Sequence, residues 1–207
     1  MYRFILFVAL LITGCSTNQQ EQTKEDNNEQ GIKDLALNEG NRVAGLAQKA
    51  LGSQLKKAIG EGGVPYAIQF CNTAAYPILD SVSTKLNTEI KRAAIKARNQ
   101  DDLPTPTEKE ILEKYAQELQ NGQELTPTLT SLNEEELLFA KPIMINNTIC
   151  LNCHGMQGKE VTEETAQLIT ELYPQDKAMG HKFGDLRGIW SIKFAKADLK
   201  KLLQTTE

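Results

Sequence analysis

Three of the six cysteine and histidine residues of this chain lie within five positions, as Cys150, Cys153 and His154 in the stretch TICLNCHG. Two thiols separated by two residues and followed at once by a histidine form the motif of c-type haem attachment. The thiols can add to the two vinyl groups of one porphyrin, and the adjacent imidazole is then held under the iron as its proximal ligand. The motif therefore predicts one covalently attached haem c, and a fold that encloses a large, flat group.

Two other uses of these residues stay open from the sequence. A CxxC pair in an exported protein can form a disulfide or a redox-active dithiol, although no thioredoxin-like βαβ pattern surrounds it. A zinc site of Cys71, Cys150, Cys153 and His154 would have suitable ligand types. We favour haem attachment because the histidine directly follows the second cysteine, as that motif requires.

The N-terminal segment predicts export and lipid anchoring. In MYRFILFVALLITGC, Arg3 precedes an apolar run over residues 4–12, which is far shorter than the ~20 residues of a membrane span and is typical of a signal peptide. The ending ITGC resembles the lipobox of bacterial lipoproteins, which implies removal of residues 1–14 and lipidation of Cys15. Ser16 then favours the outer membrane, with the protein on the periplasmic side of a bacterial membrane. The alternative is a generic signal peptide with an incidental Cys15.

Composition sets the limits of the folded domain. Residues 16–31 contain no large apolar side chain, so we expect residues 15–31 to form a disordered, lipid-anchored tether. The remaining residues 32–207 are enough for one domain. The net charge is −4 and no basic stripe is present, so nothing indicates a nucleic-acid partner.

Apolar spacing predicts four helices. The first covers residues 32–59 and ends at a run of glycines. A second begins after Pro65, with an apolar side formed by Ile68, Cys71, Ala75, Ile78 and Val82. The third starts at a capping box from Thr105 to Glu108, with Pro106 as its first residue, and the fourth starts at Thr162.

Three segments have strand character, and together with the helices they predict an α+β fold. The stretch IWSIKF, residues 189–194, alternates between apolar and polar side chains. Residues 90–98 alternate less clearly. Residues 137–145 are rich in apolar residues, but Pro142 restricts that strand to a sheet edge or a bulge.

The second axial position of the iron has several candidates in the sequence. His181 is the other histidine, and the bland interpretation places it on the surface of a loop. Met144, Met156 and Met179 would remain after export and could each offer a thioether sulfur as the ligand. Cys71 is the thiol that neither lipidation nor haem attachment would use, although a small buried cysteine on a helix is also common.

Four stretches extend the pattern beyond the CxxCH motif: YAIQFCNTAAYPIL, KARNQDDLPTPTEKEIL, TICLNCHG and GDLRGIWSI. In this order they resemble a bacterial family of single-haem c-type domains, which occur alone or as extracytoplasmic sensor modules of signalling kinases. The resemblance covers about residues 35–195. It implies a PAS-like fold, with a small antiparallel sheet flanked by helices and a long N-terminal helix. It also implies that His154 and Cys71 are the two axial ligands of the iron. The chain has RNQ at residues 98–100 where the family usually has RNP.

Arginines are candidates for binding the haem carboxylates, because a guanidinium group can hold a carboxylate through two hydrogen bonds. The sequence offers Arg92, Arg98 and Arg187. Arg98 and Arg187 lie in the stretches that carry the resemblance, so we predict that these two contact the cofactor.

The resulting prediction is a haem-binding lipoprotein that senses redox state or a diatomic gas through six-coordinate Cys/His iron. Such a protein would act on a redox or signalling protein partner. The alternative is a monohaem electron-transfer cytochrome c of a respiratory chain. No second cluster of acid, base or nucleophile is evident, so we expect no enzymatic activity.

Overall fold

The structure is a computed structural model that describes residues 16–205, with side chains from residue 28 onward. The predicted signal peptide, residues 1–14, and the predicted lipidation site, Cys15, lie outside this part. In the described chain the elements are, in order, α1 (Ser16–Leu86), β1 (Glu89–Ala93), a 3-10 turn (Gln100–Asp102), α2 (Pro106–Gln120), β2 (Thr128–Ser131), β3 (Glu136–Met144), α3 (Thr148–His154), α4 (Glu163–Leu172), β4 (Leu186–Ala195) and α5 (Lys196–Thr205). This confirms the predicted α+β class with a long N-terminal helix.

The sheet is antiparallel throughout, with the strand order β1-β4-β3-β2. Side chains alternate between the two faces of the central strand β4, as in any β-strand. Trp190 and Ile192 pack with α1, while Ile189 packs with Tyr115 of α2. The sheet therefore lies between α1 and α2. Helix α1 covers the face of the sheet that carries Trp190 and Ile192.

Helix α1 consists of two helical segments joined at a kink. Gly62 and Gly63 have non-helical backbone angles, and Gly63 has a φ of 74°. Glycine adopts such a positive φ without steric cost. The predicted break between two helices is therefore present, although it comes two residues after Gly60 and bends the helix without ending it.

Helix α1 also changes the predicted N-terminal boundary. Its backbone is helical from Ser16, whereas we predicted a tether without structure over residues 15–31. A preformed helix is extended at little cost by residues such as Glu, Gln and Lys. From Ile32 onward, α1 is packed against the rest of the domain, because Ile32 and Ala36 are buried against Leu137 and Leu199. Within the described residues no helix is both long enough and apolar enough to cross a membrane.

Local signals located several other elements correctly. The capping box between Thr105 and Glu108 is present, and Thr162 caps α4 through its hydroxyl group. Pro142 is inside β3, but β2 pairs with β3 only as far as Ala140, so the side of the strand that lacks an N–H donor has no partner strand there. A bulge follows between Ile143 and Met144.

The predicted strand over residues 90–98 is only partly correct. The ladder between β1 and β4 ends at Ala93, and the N–H group of Ala94 instead donates to the carbonyl of Asp102 at 2.9 Å. The chain therefore turns away from the sheet, and this turn carries Arg98 toward helix α3.

Candidate functional site

A cavity of about 600 Å³ lies between the kinked helix α1, the sheet and helix α3. This volume falls within the range of about 300–1,000 Å³ that is usual for small-molecule and cofactor sites. The cavity brings together every site residue that we predicted in the described part of the chain: Cys71, Arg98, Cys150, Cys153, His154 and Arg187.

Helix α3 carries the CxxCH motif along one side of this cavity. Asn147 caps the helix by accepting a hydrogen bond from the N–H group of Ile149 at 3.0 Å. Cys150 and Cys153 are three residues apart and therefore lie on the same helical face. Both are free thiols, and burial raises the pKa of the Cys153 thiol to about 11. The helix thus presents two free thiols to one cavity.

His154 is oriented by a single hydrogen bond. Its Nδ1 lies 2.9 Å from the carbonyl oxygen of Ala178, which can only accept, so Nδ1 carries the proton. Burial, reinforced by the charges of Arg187 and Arg98, holds the pKa of His154 well below its usual value. The imidazole is therefore neutral, and Nε2 keeps its lone pair. Metal-binding histidines are commonly fixed in this way through their second ring nitrogen.

Arg98 connects the motif to the loop that orients His154. Its Nε donates to Oδ1 of Asp176 at 2.9 Å, and its Nη2 donates to the carbonyl of Cys153 at 2.7 Å. The same Asp176 oxygen accepts from the N–H group of Ala178 at 3.2 Å. We call this closed set of hydrogen bonds through Arg98, Asp176, Ala178 and His154 the histidine clamp.

Sequence reasoning missed Asp176 and Ala178. Neither has a local signal, because Asp176 reaches Arg98 and Ala178 reaches His154, and each of these partners is more than 20 positions away in the chain. Sequence reasoning had assigned Arg98 to the cofactor. In the structure Arg98 lines the cavity, and its hydrogen bonds go to Asp176 and Cys153.

Cys71 also lines the cavity, in the segment of α1 that follows the kink. The predicted apolar side of this segment is confirmed, since Ile68, Ala75 and Ile78 line the cavity beside it. Burial raises the pKa of the Cys71 thiol, while the nearby charges of Arg92 and Arg98 oppose that rise. The Cys71 thiol is therefore neutral in the cavity. The positive charges of the nearby arginines would favour its thiolate form.

Arg187 and Arg92 are the other arginines of the cavity. Arg187 donates from Nη1 to the carbonyl of Lys96 at 3.0 Å, and burial lowers the pKa of its guanidinium to about 10. Arg92 has a long ion pair of 3.4 Å with Asp102, whose carboxylate also accepts a hydrogen bond from Tyr76 at 2.8 Å.

The remaining candidates for the second axial position differ in location. His181 is 4% exposed, so the expectation of a surface histidine was wrong. Its ring packs edge-on against His154 at 6.3 Å between centroids, but it is not among the residues that line the cavity. Met144 lines the cavity, Met179 packs against the same buried cluster as Cys153, and Met156 is exposed.

The zinc alternative finds no support in the arrangement of the side chains. Within the described residues, no group of three or more His, Cys, Asp or Glu side chains is close enough to hold one metal ion. Cys71 and the CxxCH motif therefore share a cavity without forming a tetrahedral cluster.

The fold and the site together define a class of protein: an α+β domain whose cofactor-sized cavity is lined by a CxxCH helix and by a second helix that carries a cysteine. Residues 15–195 match the Tll0287-like family, and the chain therefore belongs to this family.

The comparison with solved structures agrees at the level of the fold. The structure of the cyanobacterial heme-protein Tll0287 matches with a TM-score of 0.50 and 20% sequence identity, over 86% of this chain and 97% of that chain. At this identity the likeness shows a shared fold. The search of curated proteins gave no match.

Proposed function

We propose that this protein binds one haem c, attached covalently through Cys150 and Cys153, with His154 as the proximal ligand. The observation that carries the proposal is the hydrogen bond from His154 Nδ1 to the Ala178 carbonyl. It leaves Nε2 as the free nitrogen of a neutral imidazole in the cavity that both motif thiols line. The family relationship supports the same cofactor, since the related Tll0287 is a heme-protein.

The residues of the cavity fit a haem in three respects. Two thiols on one helical face match the spacing that covalent attachment requires. Apolar side chains of α1, including Leu51, Leu55 and Ile59, line the cavity and suit a flat apolar macrocycle. The buried guanidinium groups of Arg92 and Arg187 leave donor atoms without a protein acceptor, which suits the carboxylates that a haem carries.

We propose Cys71 as the second axial ligand. It lines the same cavity as His154, and the positive charges of Arg92 and Arg98 act on its thiol. A thiolate ligand donates electron density, and a haem held in this way favours the ferric state. With both axial positions occupied by protein side chains, no coordination site is open for a substrate, so the proposal is for a binding protein and not an enzyme.

The biological role that we propose is sensing of redox state or of a diatomic gas, which would displace the thiolate and alter contact with a signalling partner. Electron transfer in a respiratory chain is the second candidate. It is favoured by the position of the CxxCH helix, where Met156 beside the motif is exposed. We place the protein on the periplasmic side of a bacterial membrane, anchored through lipidated Cys15. We also propose that the fold is PAS-like.

Covalent attachment is tested by expressing the protein with the cytochrome c maturation machinery. Wild-type protein should keep its haem in a denaturing gel and give a mass larger by one haem. The variant with Cys150→Ala and Cys153→Ala should keep none. Wild-type protein that matures without covalent haem would refute the proposal.

The axial ligands are tested by ferric EPR and visible spectra of wild-type, Cys71→Ala and Met144→Ala proteins. A low-spin thiolate signal should be present in the wild type, be lost in Cys71→Ala and persist in Met144→Ala. A low-spin signal without thiolate character that is lost in Met144→Ala and unchanged in Cys71→Ala would assign the thioether instead. His181→Gln serves as a further control, since His181 does not line the cavity.

The two roles are separated by the reduction potential and by carbon monoxide binding to the ferrous protein. A sensor should have a low potential and lose Cys71 ligation when carbon monoxide binds. An electron carrier should have a potential in the range of respiratory partners, exchange electrons rapidly and not bind carbon monoxide.

A further inference from the structure

Three arginines line the cavity, and their hydrogen-bond partners divide them into two kinds. Arg98 is fully engaged with protein acceptors, through Asp176 and the Cys153 carbonyl at 2.9 and 2.7 Å. It belongs to the histidine clamp. Arg187 and Arg92 are not engaged in this way, although their side chains are also partly buried.

The Nε atoms of Arg187 and Arg92 are buried and have no hydrogen-bond partner. Arg187 has one carbonyl acceptor, at Lys96, and within the described residues no carboxylate lies within ion-pair distance of it. A buried guanidinium donor without an acceptor is costly, because the group has lost its water without gaining a partner. Two such donors in one cavity point to an acceptor that comes from a ligand.

The charge of the cavity lining points to an anionic acceptor. Four cationic side chains line the cavity, Arg92, Arg98, Lys141 and Arg187, against the single carboxylate of Asp102. Asp102 is also shared, since it accepts a hydrogen bond from Tyr76. The charges of Arg92 and Arg98 help to lower the pKa of Arg187, so an anion here would relieve repulsion as well as fill two vacant donors.

We propose that Arg187 and Arg92 together form an anion site in the wall of the cavity, which binds a carboxylate group of the ligand. Under the proposed function, on which this assignment of the ligand rests, the group is a carboxylate of the haem. The same chemistry would accept a free carboxylate from solution. Arg98 is excluded from the site because Asp176 already occupies its Nε.

The anion site is tested without haem by NMR of the arginine Nε–H groups in the full-length, haem-free protein, with acetate as the probe. Signals are assigned from their loss in Arg187→Lys, Arg92→Lys and Arg98→Lys. Acetate should shift the signals of Arg187 and Arg92 saturably and leave that of Arg98 in place. Equal shifts of all three signals, or no shift, would overturn the proposal.

The source of the carboxylate is tested by equilibrium binding of haem and of haem dimethyl ester, in which both carboxylates are blocked. The protein used is the full chain with Cys150→Ser and Cys153→Ser, so that binding stays reversible. Haem should bind about 10- to 100-fold more tightly than the ester, as expected for a charge-assisted hydrogen-bonded pair. Arg187→Gln should remove this preference by weakening the binding of haem alone.

Arg98→Gln is the matched control, because it removes an arginine of the same cavity. It should weaken haem and ester equally, through the position of His154. If haem and ester bind equally to the parent protein, the anion site does not receive the haem carboxylate and the assignment is overturned. If neither binds, the proposed haem function fails, while the acetate titration still decides whether Arg187 and Arg92 form an anion site.

Discussion

The two helices that carry the predicted ligands in the cavity hold them by different means. Helix α3, which we call the α3 wall, carries His154 and is fixed by the directional hydrogen bonds of the histidine clamp. The segment of α1 after the kink, residues 64–86, which we call the α1 wall, carries Cys71. Within the described residues the Cys71 thiol has no hydrogen bond. Its helix is held mainly by apolar packing, with one hydrogen bond from Tyr76 to Asp102.

This difference indicates which of the two proposed ligands would exchange more readily. Hydrogen bonds fix the orientation of an imidazole ring, whereas apolar packing restrains position with little directional preference. We therefore expect His154 to stay bound when conditions change, and Cys71 to be the ligand that leaves. This expectation agrees with a sensor in which displacement of the thiolate carries the signal.

The largest effect is expected from breaking the histidine clamp. Arg98→Ala leaves the carboxylate of Asp176, whose side chain is 5% exposed, buried without its ion-pair partner. Loss of one member of a buried pair costs about 3–5 kcal/mol. The free energy of unfolding of the haem-free protein, measured with urea, should fall by roughly this amount.

Arg42→Ala is the matched control for the clamp, because it removes an arginine–glutamate pair on the exposed surface of α1. Such pairs contribute less than about 1 kcal/mol. Equal effects of the two substitutions would show that the α3 wall is not held by the clamp, and the contrast between the walls would be lost.

A smaller effect on stability is expected from alanine substitutions at two glycines that differ in how tightly they are packed, Gly155 after α3 and Gly60 in α1. A Cβ atom at Gly155 would lie 2.6 Å from the carbonyl oxygen of Leu151 and 2.7 Å from Cβ of Glu160. Gly155→Ala should therefore lower the free energy of unfolding by about 1–3 kcal/mol. At Gly60 on α1 nothing lies within 4 Å, and Gly60→Ala should raise stability by about 0.5–1 kcal/mol, because alanine favours the helix.

Thermal melting of both glycine variants, with covalent haem content measured in parallel, checks this pair of expectations. Destabilisation by Gly60→Ala would mean that α1 is packed as tightly before its kink as α3 is at its end.

The sequence signals that succeeded were local. The capping box at Thr105, the cap at Thr162 and the apolar side of the helix around Cys71 each depend on residues within one or two helical turns. The CxxCH motif is local in the same sense, because helix α3 itself sets the common direction of its thiols. Such patterns can be read without knowing where the rest of the chain goes.

The features that the sequence did not predict depend on contacts between distant residues. The clamp joins Arg98 to Asp176 across 78 positions, and nothing near either residue marks it. The burial of His181 follows from its packing against His154, which its polar loop does not indicate. Strand β2 is only four residues long, so its alternation was too short to detect.

The smallest effect is a loss of stability at acidic pH that comes from His154 in the α3 wall and from the neighbouring His181. Because burial holds the pKa of His154 well below its usual value, the unfolded chain binds a proton near pH 6.5 that the folded chain does not. The stability is thus present above pH 6.5 and is lost as the pH falls, by about 1.4 kcal/mol at pH 5.5. His181 contributes in the same direction, since burial also lowers its pKa.

Urea unfolding of the haem-free protein between pH 7.5 and 5.5 measures this loss. His154→Gln and His181→Gln should each remove one part of it. Cys71→Ala should leave the slope unchanged, because a thiol whose pKa is raised is neutral in both states throughout this range. A slope that His154→Gln leaves unchanged would show that the folded chain does not keep His154 neutral, and it would remove the basis for contrasting the two walls.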